Sequence, residues 1–181
     1  MVEDFWVFGY GSLMWNPGFE PAEQVVAELR DYQRSFCLAS VRYRGTTEYP
    51  GLVLALEPKP GACCRGLAFR VPGERASGTL EYLRERELGT ASYFEERLPL
   101  TLLESGERVT ALCYVMDTAH DQYRGHLCDE QRARIIATAT GPAGTNREYL
   151  FKTVENLEDL NVEEPAMRTL ADRVIKLAEG A

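Results

Sequence analysis

One carboxylate in this sequence occupies a position suited to proton transfer. The charge-rich residues 76–88 contain Ala76, Leu80 and Leu83 at spacings of four and three residues. If the stretch is helical, these side chains form a single core-facing stripe. Glu87 follows Leu83 by four residues and continues that stripe. We therefore predict that Glu87 lies on the buried face of a helix.

Burial would change the chemistry of Glu87. Desolvation raises a carboxyl pKa above its ordinary value of ~4.3, and the negative end of the helix dipole acts in the same direction. A carboxylate with a raised pKa suits a general base that works near neutral pH. Two alternatives stay open on the sequence: the helix frays before Gly89 and exposes Glu87, or an arginine pairs with it.

A second candidate for chemistry lies near the N-terminus. Residues 5–8 are four apolar, β-favouring residues, and the pattern then breaks abruptly into Gly9-Tyr10-Gly11-Ser12. Residues 9–13 are here called the glycine turn. Residues 16–18 (Asn-Pro-Gly) prevent the strand from continuing. A strand that ends this way leaves backbone N–H groups open to a ligand, as in an anion or oxyanion site. The alternative is a core strand with a tight turn.

Other catalytic patterns are missing from the sequence. The glycine turn lacks the third glycine of a dinucleotide fingerprint, and neither a P-loop nor a Gly-x-Ser-x-Gly motif occurs. His120, His126 and Cys128 lack a fourth zinc ligand at a familiar spacing, so we predict no metal and no cofactor. Five cysteines without a CxxC pair are interpreted as reduced, mostly buried thiols.

Length and composition predict one globular domain over residues 1–181, with 45% hydrophobic and 27% charged residues. The net charge of −8 argues against nucleic-acid and anionic-membrane partners. No apolar run is long enough to span a membrane. The acidic residues at 3–4 do not fit a signal peptide, so a cytoplasmic location is expected.

The predicted elements indicate an α+β fold with a largely antiparallel sheet or small barrel and a helical C-terminal third. Strands are predicted at 5–8, 34–41, 52–56, 63–71, 93–103 and 108–115, with a turn at 58–61 that makes the third and fourth a hairpin. Helices are predicted at 74–88 (ended by Gly89), 129–138 (capped by Asp129), 146–160 and 163–179. Residues 22–29 are compatible with a helix or a strand.

Three segments together resemble the ChaC-type γ-glutamylcyclotransferases. Residues 8–15 (FGYGSLMW) are similar to that family's opening signature, and residues 82–87 (YLRERE) to its Tyr-Leu-x-x-Arg-Glu motif. Residues 141–150 (GPAGTNREYL) resemble its Gly-Pro-x-Gly-x-Asn-x-Glu-Tyr-Leu stretch. Their order and spacing fit across nearly the whole chain.

The resemblance implies a small mixed β-barrel with flanking helices. It also implies cleavage of γ-glutamyl peptides, glutathione above all, to 5-oxoproline, with Glu87 as the catalytic base and no metal or nucleotide. The implied substrate-binding residues are Val7, Phe8, Gly9, Tyr10, Gly11, Ser12, Leu13, Arg44 and Tyr149. Tyr149 would donate a hydrogen bond to the substrate or to Glu87, and Arg44 would pair with a substrate carboxylate. For both residues, an ordinary structural role remains an alternative.

Two departures from the family pattern leave the specificity for the leaving group open. Leu52 follows Pro50-Gly51 where family members often have arginine, and residues 88–93 replace a Gly-Gly-Tyr sequence after the catalytic glutamate. The alternatives are a cyclotransferase for γ-glutamylamines or for a γ-glutamyl-acylated metabolite, and a non-catalytic binding protein linked to cation transport. The oligomeric state is left open.

Overall fold

The first strand of the chain belongs to a closed barrel. The computed structural model describes residues 3–179. Its barrel strands are β1 (Phe5–Gly9), β2 (Glu23–Ser40), β3 (Gly51–Val71), β4 (Tyr93–Leu102) and β5 (Arg108–Met116). Its helices are α1 (Ala76–Leu88), α2 (Asp129–Thr138), α3 (Asn146–Asp159) and α4 (Pro165–Glu179), and Thr140–Gly141 (β6) pairs with Gly144–Thr145 (β7).

The strands of the barrel follow the order β1-β3-β2-β4-β5. β1 pairs antiparallel with β3, with Phe5 opposite Val71, and parallel with β5, with Trp6 opposite Ala111. β4 and β5 form a long antiparallel pair. The predicted α+β class with a small barrel and a helical C-terminal third is confirmed.

The chain divides into two compact units. The first extends to Arg34 and resumes with Leu56–His120, so it contains β1, α1, β4 and β5. Alternate side chains of its strands point inward and are buried, as in Val25, Ala27 and Leu29 of β2. The core of this unit also includes Phe8, Tyr10, Leu56, Cys64, Ala68, Leu100, Leu102, Ala111, Cys113 and Val115.

The second unit comprises Ser35–Ala55 and the chain from Asp121 onward. In it α2, α3 and α4 each contact the other two helices. Their apolar stripes supply the buried side chains Ile136, Leu150, Leu157, Met167, Leu170 and Val174. The helical periodicity of this part of the sequence predicted these helices to within a few residues. The prediction that both units form one domain stays a prediction.

The structure corrects the sequence interpretation of β2 and β3. Residues 22–29 belong to a strand, and the predicted strand at 34–41 is the later part of the same β2. The predicted turn at 58–61 lies within the continuous β3, so the predicted hairpin is wrong. Within the strands, Gly61 and Asp31 both have positive φ (81° and 65°), which is outside the regular strand conformation. The Gly61 N–H donates to the Asp31 carboxylate at 2.8 Å.

Helix ends differ slightly from the predictions. α1 begins at Ala76 after a 3-10 turn at Gly73–Arg75, and it ends at Leu88 as predicted. The N-cap of α2 is Cys128 rather than Asp129, because Gln131 accepts a hydrogen bond from the Cys128 N–H. Cys37, Cys64 and Cys113 are buried, Cys63 and Cys128 are exposed, and none of these five described residues forms a disulfide.

No helix among residues 3–179 is both long enough and apolar enough to cross a membrane. Met1 and Val2 lie outside the described residues. They precede the acidic residues at 3–4 from which the absence of a signal peptide was predicted.

Candidate active site

The glycine turn follows directly from β1. Gly9, the last residue of the strand, pairs with Leu67, and a 3-10 helix covers Ser12–Met14. The Met14 N–H donates to the Gly11 carbonyl at 2.8 Å and closes this turn. The first N–H groups of such a turn have no carbonyl partner within it. Binding of an anionic ligand by these N–H groups stays a prediction.

A buried arginine lies against the glycine turn. The side chain of Arg34, in β2, donates to the Tyr10 carbonyl and contacts the Met14 sulfur at 3.5 Å. Only 4% of this residue is exposed. Arg34 is not among the site residues predicted from the sequence. The signal it offered was a charged residue at the start of an apolar strand segment.

Glu87 lies on the half-buried side of α1. Ala76, Thr79 and Leu83 form the buried face of this helix, and Leu80 lies at its margin. The Glu87 side chain is 16% exposed, so the alternative in which it turns to solvent does not hold. Burial raises the pKa of Glu87, and the neighbouring Arg86 only partly opposes this effect. The direction of the shift is the one that a general base requires.

Arg86 connects Glu87 to the glycine turn. Its Nε lies 3.2 Å from a Glu87 carboxylate oxygen. Another guanidinium nitrogen donates to the Ser12 hydroxyl at 2.9 Å, and the third donates to the Asn16 carbonyl at 2.7 Å and to the Tyr82 hydroxyl at 2.9 Å. One guanidinium thus joins two predicted site residues, Ser12 and Glu87. Arg86 belongs to the second of the three motifs, but no role was predicted for it from the sequence.

A second arginine fixes α1 against the barrel. Arg84 donates two hydrogen bonds to the Glu95 carboxylate, at 2.8 and 2.7 Å, and lowers the pKa of that carboxyl. Glu95 in turn accepts a hydrogen bond from the buried Tyr114 hydroxyl at 3.4 Å. Burial, together with the charges of Glu95 and Glu87, raises the pKa of Tyr114. This phenol therefore stays neutral and donates.

The second unit contains the other two predicted site residues. The guanidinium of Arg44 lies 5.4 Å from the centre of the Tyr149 ring, within cation–π range. Tyr149 also makes an edge contact with Phe36 at 5.7 Å between ring centres. Arg44 donates to the Thr145 carbonyl at 3.2 Å. The structure therefore brings Arg44 and Tyr149 together, and their part in substrate binding stays a prediction.

The rest of the third motif builds the local fold. The buried Asn146 side chain accepts from the Leu52 N–H at 2.6 Å and donates to the Leu52 carbonyl at 2.7 Å. A Cβ at Gly51 would meet the Asn146 side-chain oxygen at 2.7 Å, so only glycine fits there without a shift. Thr145 and Glu148 form a capping box at the start of α3.

Val7 and Phe8 are fully buried, and Phe8 belongs to the barrel core. Their side chains pack, so any contribution to a ligand would come from their backbone. The expected lack of a metal and a cofactor stays a prediction.

Comparison with known proteins identifies the family. The model of the ChaC-like proteins matches residues 5–177. The chain belongs to the ChaC-like family. It is 40% identical to γ-glutamylcyclotransferase 2-1 of Arabidopsis thaliana, over 94% of this chain and 82% of that protein. It is 38% identical to the glutathione-specific γ-glutamylcyclotransferase of Escherichia coli, over 95% of this chain and 73% of that protein.

Solved structures support the fold of this ChaC-like protein. A crystal structure of a γ-glutamylcyclotransferase specific to glutathione from yeast matches with a TM-score of 0.84 at 23% identity. The match covers 96% of each chain. The resemblance based on the three sequence motifs is therefore confirmed at the level of family and fold.

Proposed function

We propose that this protein is a γ-glutamylcyclotransferase that converts glutathione to 5-oxoproline and Cys-Gly, with Glu87 as the general base. The observation that carries the proposal is the link between Glu87 and the glycine turn through a single guanidinium. The names of the relatives support the substrate, since the Escherichia coli protein is described as glutathione-specific.

The reaction is an intramolecular acyl transfer. The α-amine of the γ-glutamyl group is largely protonated at neutral pH and must lose a proton before it attacks the γ-carbonyl carbon. A new C–N bond closes the five-membered ring, and the amide bond to the cysteinyl nitrogen breaks. The α-ammonium loses two protons, one before it attacks and one as the ring closes. Glu87 accepts each proton and passes it to the departing cysteinyl nitrogen, which leaves as the ammonium of Cys-Gly, so no external acid or base is consumed.

Much of the rate is expected to come from holding the chain in its folded conformation. Effective molarities of well-oriented intramolecular reactions can reach about 10⁵ M or more. In this proposal the backbone N–H groups of the glycine turn bind the substrate α-carboxylate or the developing oxyanion. Each such donor contributes about 3 kcal/mol in comparable sites.

The proposed partner is a small γ-glutamyl molecule, with no nucleic acid or membrane partner. The net charge of −8 supports this, because nucleic acids and anionic membranes favour basic surfaces. We further propose a cytoplasmic location, which the absence of a disulfide among the five described cysteines supports, since reducing compartments keep thiols reduced.

One assay tests the function. Purified protein is incubated separately with glutathione, a γ-glutamyl dipeptide and a γ-glutamylamine, and 5-oxoproline is measured. We expect turnover of glutathione that is lost in Glu87→Gln. Turnover of the γ-glutamylamine alone would replace the substrate assignment, and no turnover of any of the three would overturn the enzyme assignment.

A further inference from the structure

Arg34 is a buried cation that the proposed reaction leaves without a role. Its side chain reaches from β2 to the Tyr10 carbonyl in the glycine turn. Placing a guanidinium inside a protein is costly unless hydrogen bonds compensate its lost hydration. An apolar side chain would fill the same space at a lower free-energy cost. We therefore expect the hydrogen bond from Arg34 to the Tyr10 carbonyl to serve function rather than stability.

Peptide geometry relates this contact to the N–H of the next residue. The carbonyl of Tyr10 and the N–H of Gly11 belong to one planar unit and point in opposite directions when the bond is trans. The described residues contain no cis peptide bond. Because the Tyr10 carbonyl is directed at Arg34, the Gly11 N–H is directed away from that buried side chain.

The following peptide is held in a similar way. The Gly11 carbonyl accepts a hydrogen bond from the Met14 N–H at 2.8 Å. The Ser12 N–H belongs to the same peptide unit and therefore points in the direction opposite to that carbonyl. Two successive peptides therefore have their carbonyl groups engaged within the protein. Successive N–H groups fixed in this manner form the concave anion sites found in other proteins.

We propose that Arg34 is a positioning residue that orients the Tyr10–Gly11 peptide so that the Gly11 N–H donates to an anionic oxygen of the γ-glutamyl substrate. Arg34 itself does not touch the substrate. Its charge also polarises the peptide through the carbonyl, which strengthens the N–H as a donor. The inference rests on the proposed function and names the particular backbone donor that the function requires.

The sequence offers a direct way to observe this peptide. Tyr10-Gly11 is the only Tyr-Gly pair among its 181 residues. Protein labelled with ¹³C at tyrosine carbonyls and ¹⁵N at glycine amides therefore gives one cross-peak in a carbonyl–amide correlation spectrum. That peak reports the Tyr10 carbonyl, which contacts Arg34, and the Gly11 N–H, which is to contact the ligand.

The probe is 5-oxoproline, which retains the α-carboxylate and the acyl oxygen of the substrate. On saturation of the wild-type protein we expect the Gly11 proton to move downfield, as an N–H does when it forms a stronger hydrogen bond. In Arg34→Lys and Arg34→Met we expect the carbonyl resonance to move before ligand is added, and the ligand-induced proton shift to fall by at least half.

Kinetics supply the second readout. We expect Arg34→Met to lower kcat/KM for glutathione about 100-fold, the size of effect seen when one oxyanion donor is lost. Arg34→Lys, which retains the charge, should recover part of this loss. The matched control is Arg65→Met, which removes the same charge from a half-exposed barrel arginine paired with Glu28, and its kcat/KM should be unchanged.

Several results would overturn the inference. If the wild-type Gly11 proton does not move at saturating 5-oxoproline while glutathione turnover is normal, the inference is wrong and the proposed function stands. The same holds if Arg34→Met is folded and as active as Arg65→Met. If Arg34→Met does not fold, the wild-type titration and Arg34→Lys still decide. If the wild-type protein turns over no γ-glutamyl compound, the proposed function is wrong, and this result is distinct from the failures above.

Discussion

The Nε of Arg86 lies 3.2 Å from a carboxylate oxygen of Glu87, although the two residues are adjacent on one helix. Neighbouring side chains on a helix diverge by about 100° and do not normally face each other. Here Arg86 reaches around to the glycine turn, and its guanidinium touches the Glu87 carboxylate on the way. The pKa of Glu87 is therefore set by two opposing effects: burial raises it and Arg86 lowers it.

This balance predicts the effect of Arg86→Gln on pH dependence. The pH profile of kcat/KM reports the base of the free enzyme. Wild type should have its acid limb above the ordinary glutamate range, because burial is the larger effect on Glu87. Removing Arg86 removes the opposing effect, so the acid limb should move to still higher pH. The measurement is kcat/KM for glutathione between pH 4 and 9.

Arg84→Gln is the control for this experiment. It removes the same charge from a residue two positions earlier on α1, where Arg84 pairs with Glu95 instead of Glu87. We expect its acid limb to stay at the wild-type position. An acid limb that moves equally in both variants would indicate a general loss of positive charge rather than the contact with Glu87.

Glu87→Gln should abolish activity without lowering stability at neutral pH. We expect kcat/KM to fall about 1,000-fold, within the range for loss of a general base. A carboxyl whose folded pKa is raised contributes stability that is present below its unfolded pKa and lost as pH rises through its folded pKa. At pH 7 the ionised Glu87 is therefore unfavourable, and the amide removes that cost.

Thermal unfolding at pH 7 and pH 4 tests the second half of this prediction. The melting temperature of Glu87→Gln should equal or exceed that of wild type at pH 7, and this advantage should shrink at pH 4. A variant that is less stable at pH 7 would mean that the contact with Arg86 outweighs burial.

Asn146 is predicted to be a stability residue. Asn146→Ala removes both hydrogen bonds to the Leu52 backbone and leaves a buried N–H and carbonyl unpaired. A loss of about 3 kcal/mol in the free energy of unfolding is expected, at ~1–3 kcal/mol for each unsatisfied group. Asn156→Ala is the matched control, since that side chain only donates to Lys152 on the exposed side of α3. Urea unfolding should show a much larger loss in the free energy of unfolding for Asn146→Ala than for Asn156→Ala.

Tyr149→Phe separates the hydroxyl of Tyr149 from its ring. The phenylalanine ring retains the packing against Phe36 and the contact with Arg44. If the hydroxyl binds the substrate, as the sequence resemblance implies, kcat/KM should fall about 10-fold while the melting temperature stays constant. Tyr149→Leu, which also loses the ring, should lower both. Wild-type kinetics in Tyr149→Phe would leave Tyr149 a packing residue.

The sequence predicted the elements whose pattern is local. The apolar run of β1 and the stripes of α3 and α4 depend on neighbouring residues, so their periodicity is visible in the chain. The long strand β3 was missed because Pro58, Pro60 and Gly61 are typical turn residues. Pro58 and Pro60 are two residues apart, so the two positions that lack an N–H lie on the same edge of the strand. A strand tolerates proline where that edge makes no ladder hydrogen bonds. The hydrogen bond between Gly61 and Asp31 joins two different strands and cannot be seen in either segment alone.

The candidate site follows the same division. The half-buried position of Glu87 was predicted because its place on a helical stripe is a local property. Arg34 and Arg86 were missed because their partners, Tyr10 and Ser12, are distant in sequence. No helix or strand periodicity shows which carbonyl an arginine will reach. Such contacts become visible only when the strands and the helix are placed in three dimensions.

The division of the chain into two units constrains the order in which it can fold during synthesis. The boundaries fall inside β2 and β3, at Arg34–Ser35 and Ala55–Leu56. Residues 35–55 therefore leave the ribosome well before α2, α3 and α4, which complete their unit. Until then the buried side chains of this segment, such as Phe36 and Leu52, lack their final neighbours. The nascent chain is consequently expected to be most prone to aggregation during synthesis of residues 56–120, when this segment waits for its helices.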